Sequence, residues 1–305
     1  VFGEYHTRNG LSFSTTGGKI STLGTLMRNR YLKFVNDVLS LKVQDYDLVV
    51  SDFEPVSAWA AKLHDVPSVS VGHQPSFKFQ GVPHHTEHWA WHARLLFNIF
   101  APTSSHVGMH WSRFHHHILP PIIDHHNLST QRENRKIVVY LPFDDLSEII
   151  SMVGPIWDWD FYIYHPEVNS AENVGNKCLR RPSLQAFQAD VSTAAGVICG
   201  SGFELISECL TMGQRILTKP LQGQDEQIAN VRALRLLNYA HVMESLSTAA
   251  VADWLGQSCQ GAHVEYPDVA AYLAEWIVSG DRSDQSLKNL SEVTWSNSTV
   301  HRRLA

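Results

Sequence analysis

Ala194-Ala195-Gly196-Val197-Ile198-Cys199, then Gly200-Ser201-Gly202, then a run from Phe203 to Met212 decide how this chain is read. The first part is a short apolar stretch of strand type, the second a double-glycine break, and the third repeats apolar residues at helical spacing. Strand, glycine turn and helix in that order place a helix N-terminus at a strand end. Two glycines let the backbone turn tightly and approach a ligand, while free N–H groups and the positive dipole end of the helix attract an anion. A phosphate or diphosphate is the expected guest, held along Gly200, Ser201, Gly202, Phe203 and Glu204. Glu208 lies about one turn further on, where a carboxylate can accept both hydroxyls of a ribose. Arg215 to Leu217 forms the next strand, which ends at Pro220, and Gln222-Gly223-Gln224-Asp225-Glu226-Gln227 leads into a helix carrying Asn230. Glu226, Gln227 and Asn230 share a helix face. Together with Gln224 and Asp225 they offer the carboxylate and amide groups that hold a polyol by directional hydrogen bonds.

Gly-Ser-Gly-Phe-Glu-Leu-Ile-Ser-Glu at 200–208, followed by Pro-Leu-Gln-Gly-Gln-Asp-Glu-Gln-Ile-Ala-Asn at 220–230, resembles the donor half of GT-B glycosyltransferases. The MurG-like and UDP-glucuronosyltransferase-like groups are the most similar, and the likeness extends over nearly the whole chain. The resemblance implies an α/β fold of two Rossmann-like domains facing across a cleft. It implies transfer of a sugar, with inversion, from a UDP- or TDP-linked nucleoside diphosphate sugar to a hydroxyl acceptor, with no metal at the donor and no other cofactor. It gives the diphosphate to the glycine turn, the ribose to Glu208, and the donor sugar to Glu226, Gln227 and Asn230. The segment around Arg181 borders the nucleobase through its backbone, or Arg181 balances diphosphate charge. The chain departs from the family pattern in four places, one of them an interval from Pro220 to Asn230 about two residues longer than is common. Leu205 stands where Ser or Thr is usual, the strand ending at Pro142 lacks a Gly/Ser-rich loop, and no opening strand with a Gly-x-Gly-His-type loop is found. That N-terminal strand and loop are therefore expected to be missing. Two other readings use the same phosphate site: a sugar-nucleotide epimerase or hydrolase, and a non-catalytic nucleotide- or glycan-binding relative.

The 305 residues suggest two domains, and a hydrophobic content of 44% is ample for two cores. A net charge of -6 argues against a nucleic-acid binder, because no basic field exists to meet phosphates at large. Cys178, Cys199, Cys209 and Cys259 show no Cys-x-x-Cys spacing, so neither a zinc knuckle nor a disulfide framework is signalled. No apolar run approaches the about 20 residues needed to span a bilayer. A cytoplasmic protein with reduced thiols is expected, with peripheral membrane contact as an added expectation.

Tyr46 to Ser51 and Val69 to Val71 read as buried parallel strands, with a helix from Pro55 between them, which makes a βαβ unit. Ligands of such sheets bind beyond the carboxyl ends of the strands. Asp52, Glu54 and His73 sit at two such ends and are the candidates for the general base, with the capping of the Pro55 helix as the competing role for the two carboxylates. Gly10 to Thr25 reads as a loop, and Leu26 to Leu41 as an amphipathic helix packed on a sheet. Residues 81–126 carry 11 of the 18 histidines, interleaved with aromatic residues, and read as a helical excursion with partly exposed rings; a surface for a lipid-linked or glycan acceptor, or for a membrane, and metal binding through His84, His88 and His92 are the other readings. His84, His88 and His92, and again His106 and His110, repeat at a spacing of four that would line one helix face. The expected division is 1–128 for an acceptor-side domain, 129–285 for a donor domain, and 286–305 for a terminal helix crossing back.

Overall fold

The computed structural model describes residues 31–84, 99–124, 132–258 and 260–304, together with the backbone of two short strands, β1 (Ser14–Thr16) and β2 (Lys19–Ser21). These two pair antiparallel, with Thr16 opposite Lys19. The Gly10 to Thr25 stretch therefore holds a strand pair where a loop was expected. Its Gly17-Gly18 dipeptide between two pairing segments is a hairpin signal that a merely compositional reading overlooks.

The first unit runs through α1 (Tyr31–Ser40), β3 (Val49–Ser51), α2 (Pro55–Leu63), β4 (Ser68–Gly72), β5 (Ser105–Met109) and β6 (Ile118–Leu119). Its four strands are all parallel and lie in sequence order. Pro55 starts α2 without wasting an N–H, and the Glu54 carboxylate caps it by accepting from the N–H groups of Val56 and Ser57, both at 2.7 Å. Within 81–126, residues 85–98, 125 and 126 lie outside the described residues, and with them His88 and His92. What is described corrects the helical reading. His106 is inside β5 and His110 just beyond it, so their spacing of four belongs to a buried parallel strand centred on the fully buried Val107. Ile118-Leu119 forms the fourth strand, although the sequence from Leu119 to Ile123 reads as the start of the interdomain connection.

The second unit contains β7 (Glu133–Tyr140), α3 (Leu146–Val153), β8 (Asp160–Tyr164), β9 (Glu172–Val174), β10 (Lys177–Arg180), α4 (Leu184–Thr193), β11 (Ala194–Gly200), α5 (Phe203–Met212), β12 (Arg215–Lys219), α6 (Asp225–Leu237), β13 (His241–Val242) and α7 (Thr248–Gly256). The sheet order is β13-β12-β11-β7-β8-β10-β9, parallel except for the β9–β10 pair. Alternation along the central strands fills two cores. Val138, Val197 and Cys199 meet Ile206, Leu210 and Leu234 on one face, while Ile137, Val139 and Ile198 meet Ile149, Val153 and Trp254 on the other. Runs of apolar residues buried on both faces are what a doubly wound parallel sheet requires.

After β14 (His263–Glu265), helices α8 (Val269–Ser279) and α9 (Asp284–Ser296) return to the first unit. Val269, Leu273, Trp276, Leu287 and Leu290 close over Val69, Val107 and Leu119 of the first sheet. The Ser291 hydroxyl and the Trp295 indole both donate to the Ile118 carbonyl, at 2.9 and 2.7 Å. The helical pattern expected up to Leu304 stops earlier. β15 (Thr299–Arg302) pairs antiparallel with β14, where β-branched Val300 lies opposite Val264. No described helix is long and apolar enough to cross a membrane.

Candidate functional site

The carboxyl ends of β7, β11 and β12 and the start of α5 enclose a cavity of about 170 Å³, walled by Tyr140, Pro142, Gly200, Gly202, Glu204 and Lys219 among others. Gly202 is the N-cap of α5 and makes no side-chain cap. Its φ of -72° is ordinary, and a Cβ added there would meet nothing within 4 Å. No neighbour in the fold demands a glycine at this position; the space above it is simply open. The first N–H groups of a helix have no partner within the helix. With no side-chain cap at α5, they are available at the cavity edge.

Lys219 ends β12 and forms an ion pair of 2.7 Å with Asp144, both largely buried in the cavity wall. On the far side of this pair lies a more polar recess of about 560 Å³, with Ser147, Glu148, Gln222 and Thr248 in its lining. Sequence reasoning missed Lys219. Its signal was a cation at a strand end one residue before Pro220, where parallel sheets present their ligand groups. Asp145, not Asp144, caps α3, accepting from the Ser147 and Glu148 N–H groups. Asp144 is thereby left for the lysine.

The residues expected to hold a sugar divide into two sets. Gln227 accepts from the N–H groups of Ser201 (3.2 Å) and Leu221 (2.8 Å), and Asn230, fully buried, donates to the Ser201 carbonyl (3.0 Å). These amides brace the glycine turn, although Gln227 also reaches the cavity wall. Gln224 caps α6 by position, with its Oε1 buried and unpaired among the described residues, and Asp225 and Glu226 form the partly buried first turn of that helix. Glu204 lines the cavity, while Glu208, one turn later, lies outside its wall. Burial raises the Glu208 carboxyl above its usual range, and nearby Glu204 and Asp124 add to the shift. Arg181 is exposed beyond β10, away from the cavity wall.

The first unit meets the back of the same turn. His73 at the end of β4 is buried, stacks on Phe203 with ring centroids 4.1 Å apart, and engages the Met109 carbonyl through Nδ1 (2.9 Å) and the Asn230 side-chain oxygen through Nε2 (2.7 Å). The Trp111 indole donates to Ser207 of α5 (2.8 Å). Glu54 is occupied as the α2 cap. Asp52 is exposed at the β3 end, yet the surrounding protein raises its carboxyl above the usual range. It lies against Gly72, whose φ of +148° only glycine adopts readily and where a Cβ would come within 2.6 Å of Asp52 Oδ1. The neighbouring Phe53 holds φ at +47°, an uncommon and strained value for a bulky residue. The structure thus brings Gly200, Gly202, Glu204 and Gln227 together around one cavity, and sets His73 and Asn230 between the two units.

The fold has solved neighbours. A glycotransferase of kitacinnamycin aligns over 94% of this chain and 84% of its own, with a TM-score of 0.51 and 14% identity. The spinosyn rhamnosyltransferase SpnG aligns over 75% and 69%, with a TM-score of 0.50 and 13% identity. UDP-GlcNAc 2-epimerase from Neisseria meningitidis, bound to UDP-GlcNAc, aligns over 88% and 81%, with a TM-score of 0.50 and 12% identity. At such identities the likeness is one of fold, and the fold is GT-B. No curated protein matches the sequence. The family model for Glycosyl transferase family 1 matches residues 4–258, which include every strand end around the cavity, and the chain belongs to that family.

Proposed function

We propose that the chain moves a sugar from a UDP- or TDP-linked donor to a hydroxyl acceptor, with inversion and without a metal at the donor. The observation that carries this reading is the open space over Gly202, between an uncapped helix N-terminus and the Lys219 ammonium. Ligand pockets usually measure about 300–1,000 Å³. A cavity of about 170 Å³ suits the diphosphate, with the rest of the donor lying along the open cleft. The helix dipole and Lys219 stabilise the negative charge that grows on the departing diphosphate. The acceptor oxygen bonds to the anomeric carbon as the bond from that carbon to the phosphate oxygen breaks. The hydroxyl proton passes to a general base, the role given to Asp52, whose raised pKa makes it the stronger base. Glu208 takes the ribose, and Glu226 with Asp225 and Gln224 the sugar hydroxyls. The acceptor is a lipid-linked or glycan hydroxyl.

Calorimetric titration with UDP, TDP and GDP tests the site. One nucleotide is expected to bind, and Gly202→Val, whose Cβ enters the open space without meeting protein, is expected to weaken it by at least about thirtyfold, roughly 2 kcal/mol. Unchanged affinity in that variant would remove the anion site from the glycine turn. Donor turnover without any acceptor, yielding an epimerised or hydrolysed sugar, would favour the epimerase or hydrolase reading instead.

A further inference from the structure

We propose that His115, His116 and His117, together with Asp284, bind a divalent transition-metal ion that fastens the returning helix α9 to the first unit. The three imidazoles follow one another in the loop between β5 and β6, and their candidate ligand atoms all lie within 4.8 Å of one another. Metal–nitrogen bonds of about 2.0–2.1 Å set ligand atoms no more than about 4.2 Å apart, so small side-chain rotations convert this cluster into a coordination shell. The fourth ligand comes from far along the chain. Asp284 Oδ1 is 2.5 Å from His117 Nε2 and 3.9 Å from His116 Nε2.

The surroundings favour a metal. Phe79 lies flat against His115 at 4.8 Å and edge-on to His117 at 5.2 Å, sheltering one side of the cluster from water. Asp284 is exposed and His116 partly so, leaving an entry path. Three imidazoles and a carboxylate suit zinc, and also nickel or copper, far better than magnesium or calcium.

The ion would act at a seam. Its three histidines belong to the first unit, and Asp284 opens the helix whose Leu287 and Leu290 complete that unit's core. Nearby, the Arg113–Glu292 pair at 3.4 Å is a second polar contact joining the same loop and helix. Metal binding at the four ligands would therefore raise the stability of the closed core by mass action. The site is separate from the cavity at Gly202, so its occupancy is measured without any nucleotide.

Equilibrium dialysis of the chelator-stripped full chain against zinc, with cobalt absorption as a second probe, tests the site. The expected result is one tightly held ion per chain, a rise in Tm on zinc addition, and a cobalt spectrum of tetrahedral type. His116→Asn with His117→Asn is expected to weaken that ion by at least about tenfold. Asp284→Asn, a change at an exposed carboxylate, is expected to abolish the zinc-dependent rise in Tm while leaving the metal-free Tm nearly unchanged. Absence of a stoichiometric ion, undiminished binding in the double variant, or an undiminished Tm rise in Asp284→Asn would each overturn the proposal.

Discussion

The glycine turn at Gly200–Phe203 and the strand end at Gly72–Gln74 occupy equivalent places in the two sheets, each just past the carboxyl end of an inner parallel strand. They share out their polar groups by one rule. At each, the groups that can both donate and accept are turned inward: Gln227 and Asn230 hold the Ser201 backbone, and His73 holds Asn230. The groups left facing open space carry one sign of charge or are backbone N–H groups: Lys219, Glu204 and the α5 N-terminus on one side, Asp52 on the other. Where they differ is in charge. The donor side sets the Lys219 ammonium and the α5 N-terminus beside two carboxylates, Glu204 and the lysine's partner Asp144, whereas the first side offers Asp52; the cationic groups suit a leaving diphosphate and the Asp52 carboxylate a departing proton. Amides and imidazoles at such sites are therefore read first as bracing, and strand-end charges first as chemistry.

The sharpest way to break this division is Asp52→Asn. If Asp52 is the base, turnover falls by about 10²–10⁴-fold while nucleotide affinity holds and Tm does not fall, as initial rates and calorimetry would report. A drop of less than about tenfold returns the role to another group. Next in size is Asn230→Ala, which leaves the Ser201 carbonyl and a His73 nitrogen buried without partners. Unfolding should become easier by about 2–3 kcal/mol, seen as a lower midpoint in urea, with nucleotide affinity only modestly reduced. Should stability hold while sugar selectivity collapses, Asn230 faces the ligand after all. The smallest effect is assigned to Glu208→Gln. A carboxyl whose folded pKa is raised adds stability that is complete below its unfolded pKa and is lost as pH rises through the folded one. The variant should thus melt a few degrees higher than the parent at about pH 7 and at the same temperature near about pH 3. A carboxyl whose charged form is disfavoured by burial and by Glu204 and Asp124 is a stability cost that a ligand contact such as a ribose would explain, and weaker nucleotide binding in Glu208→Gln would sharpen that assignment.

The central motif was legible because its signals are local. β11, the turn and α5 follow directly from an apolar run, two glycines and helical spacing, and the structure ends the helix at Gly213 in a left-handed cap. The βαβ unit from Val49 to Gly72 was equally plain, Pro55 included. Contacts between distant residues were not legible. The His73–Asn230 bond spans 157 positions, and nothing in either neighbourhood announces it. Lys219 and Asp144 each look like ordinary surface charges until β7 and β12 are brought close on either side of β11. Short strands also escaped. β6 has two residues before a proline pair, and the four residues of β15 follow a helix without a strong break. The histidines misled for a physical reason: a spacing of four lines one face of a helix, but residues four apart also share one face of a strand.

The two helices that return from the far end of the chain impose an order on synthesis. Val69, Val107 and Leu119 leave the ribosome long before Val269, Trp276 and Leu290 exist to cover them. At about 5–20 residues per second, the first sheet waits on the order of ten to thirty seconds with one face bare. The doubly wound unit draws both its cores from residues made in between, apart from a few contributed by the first unit and the tail, so it can fold while the first sheet waits. The half of the molecule that is made first is thus the half that finishes last, and a nascent chain stalled before Val269 would present an uncovered apolar sheet to whatever chaperone stands at the exit.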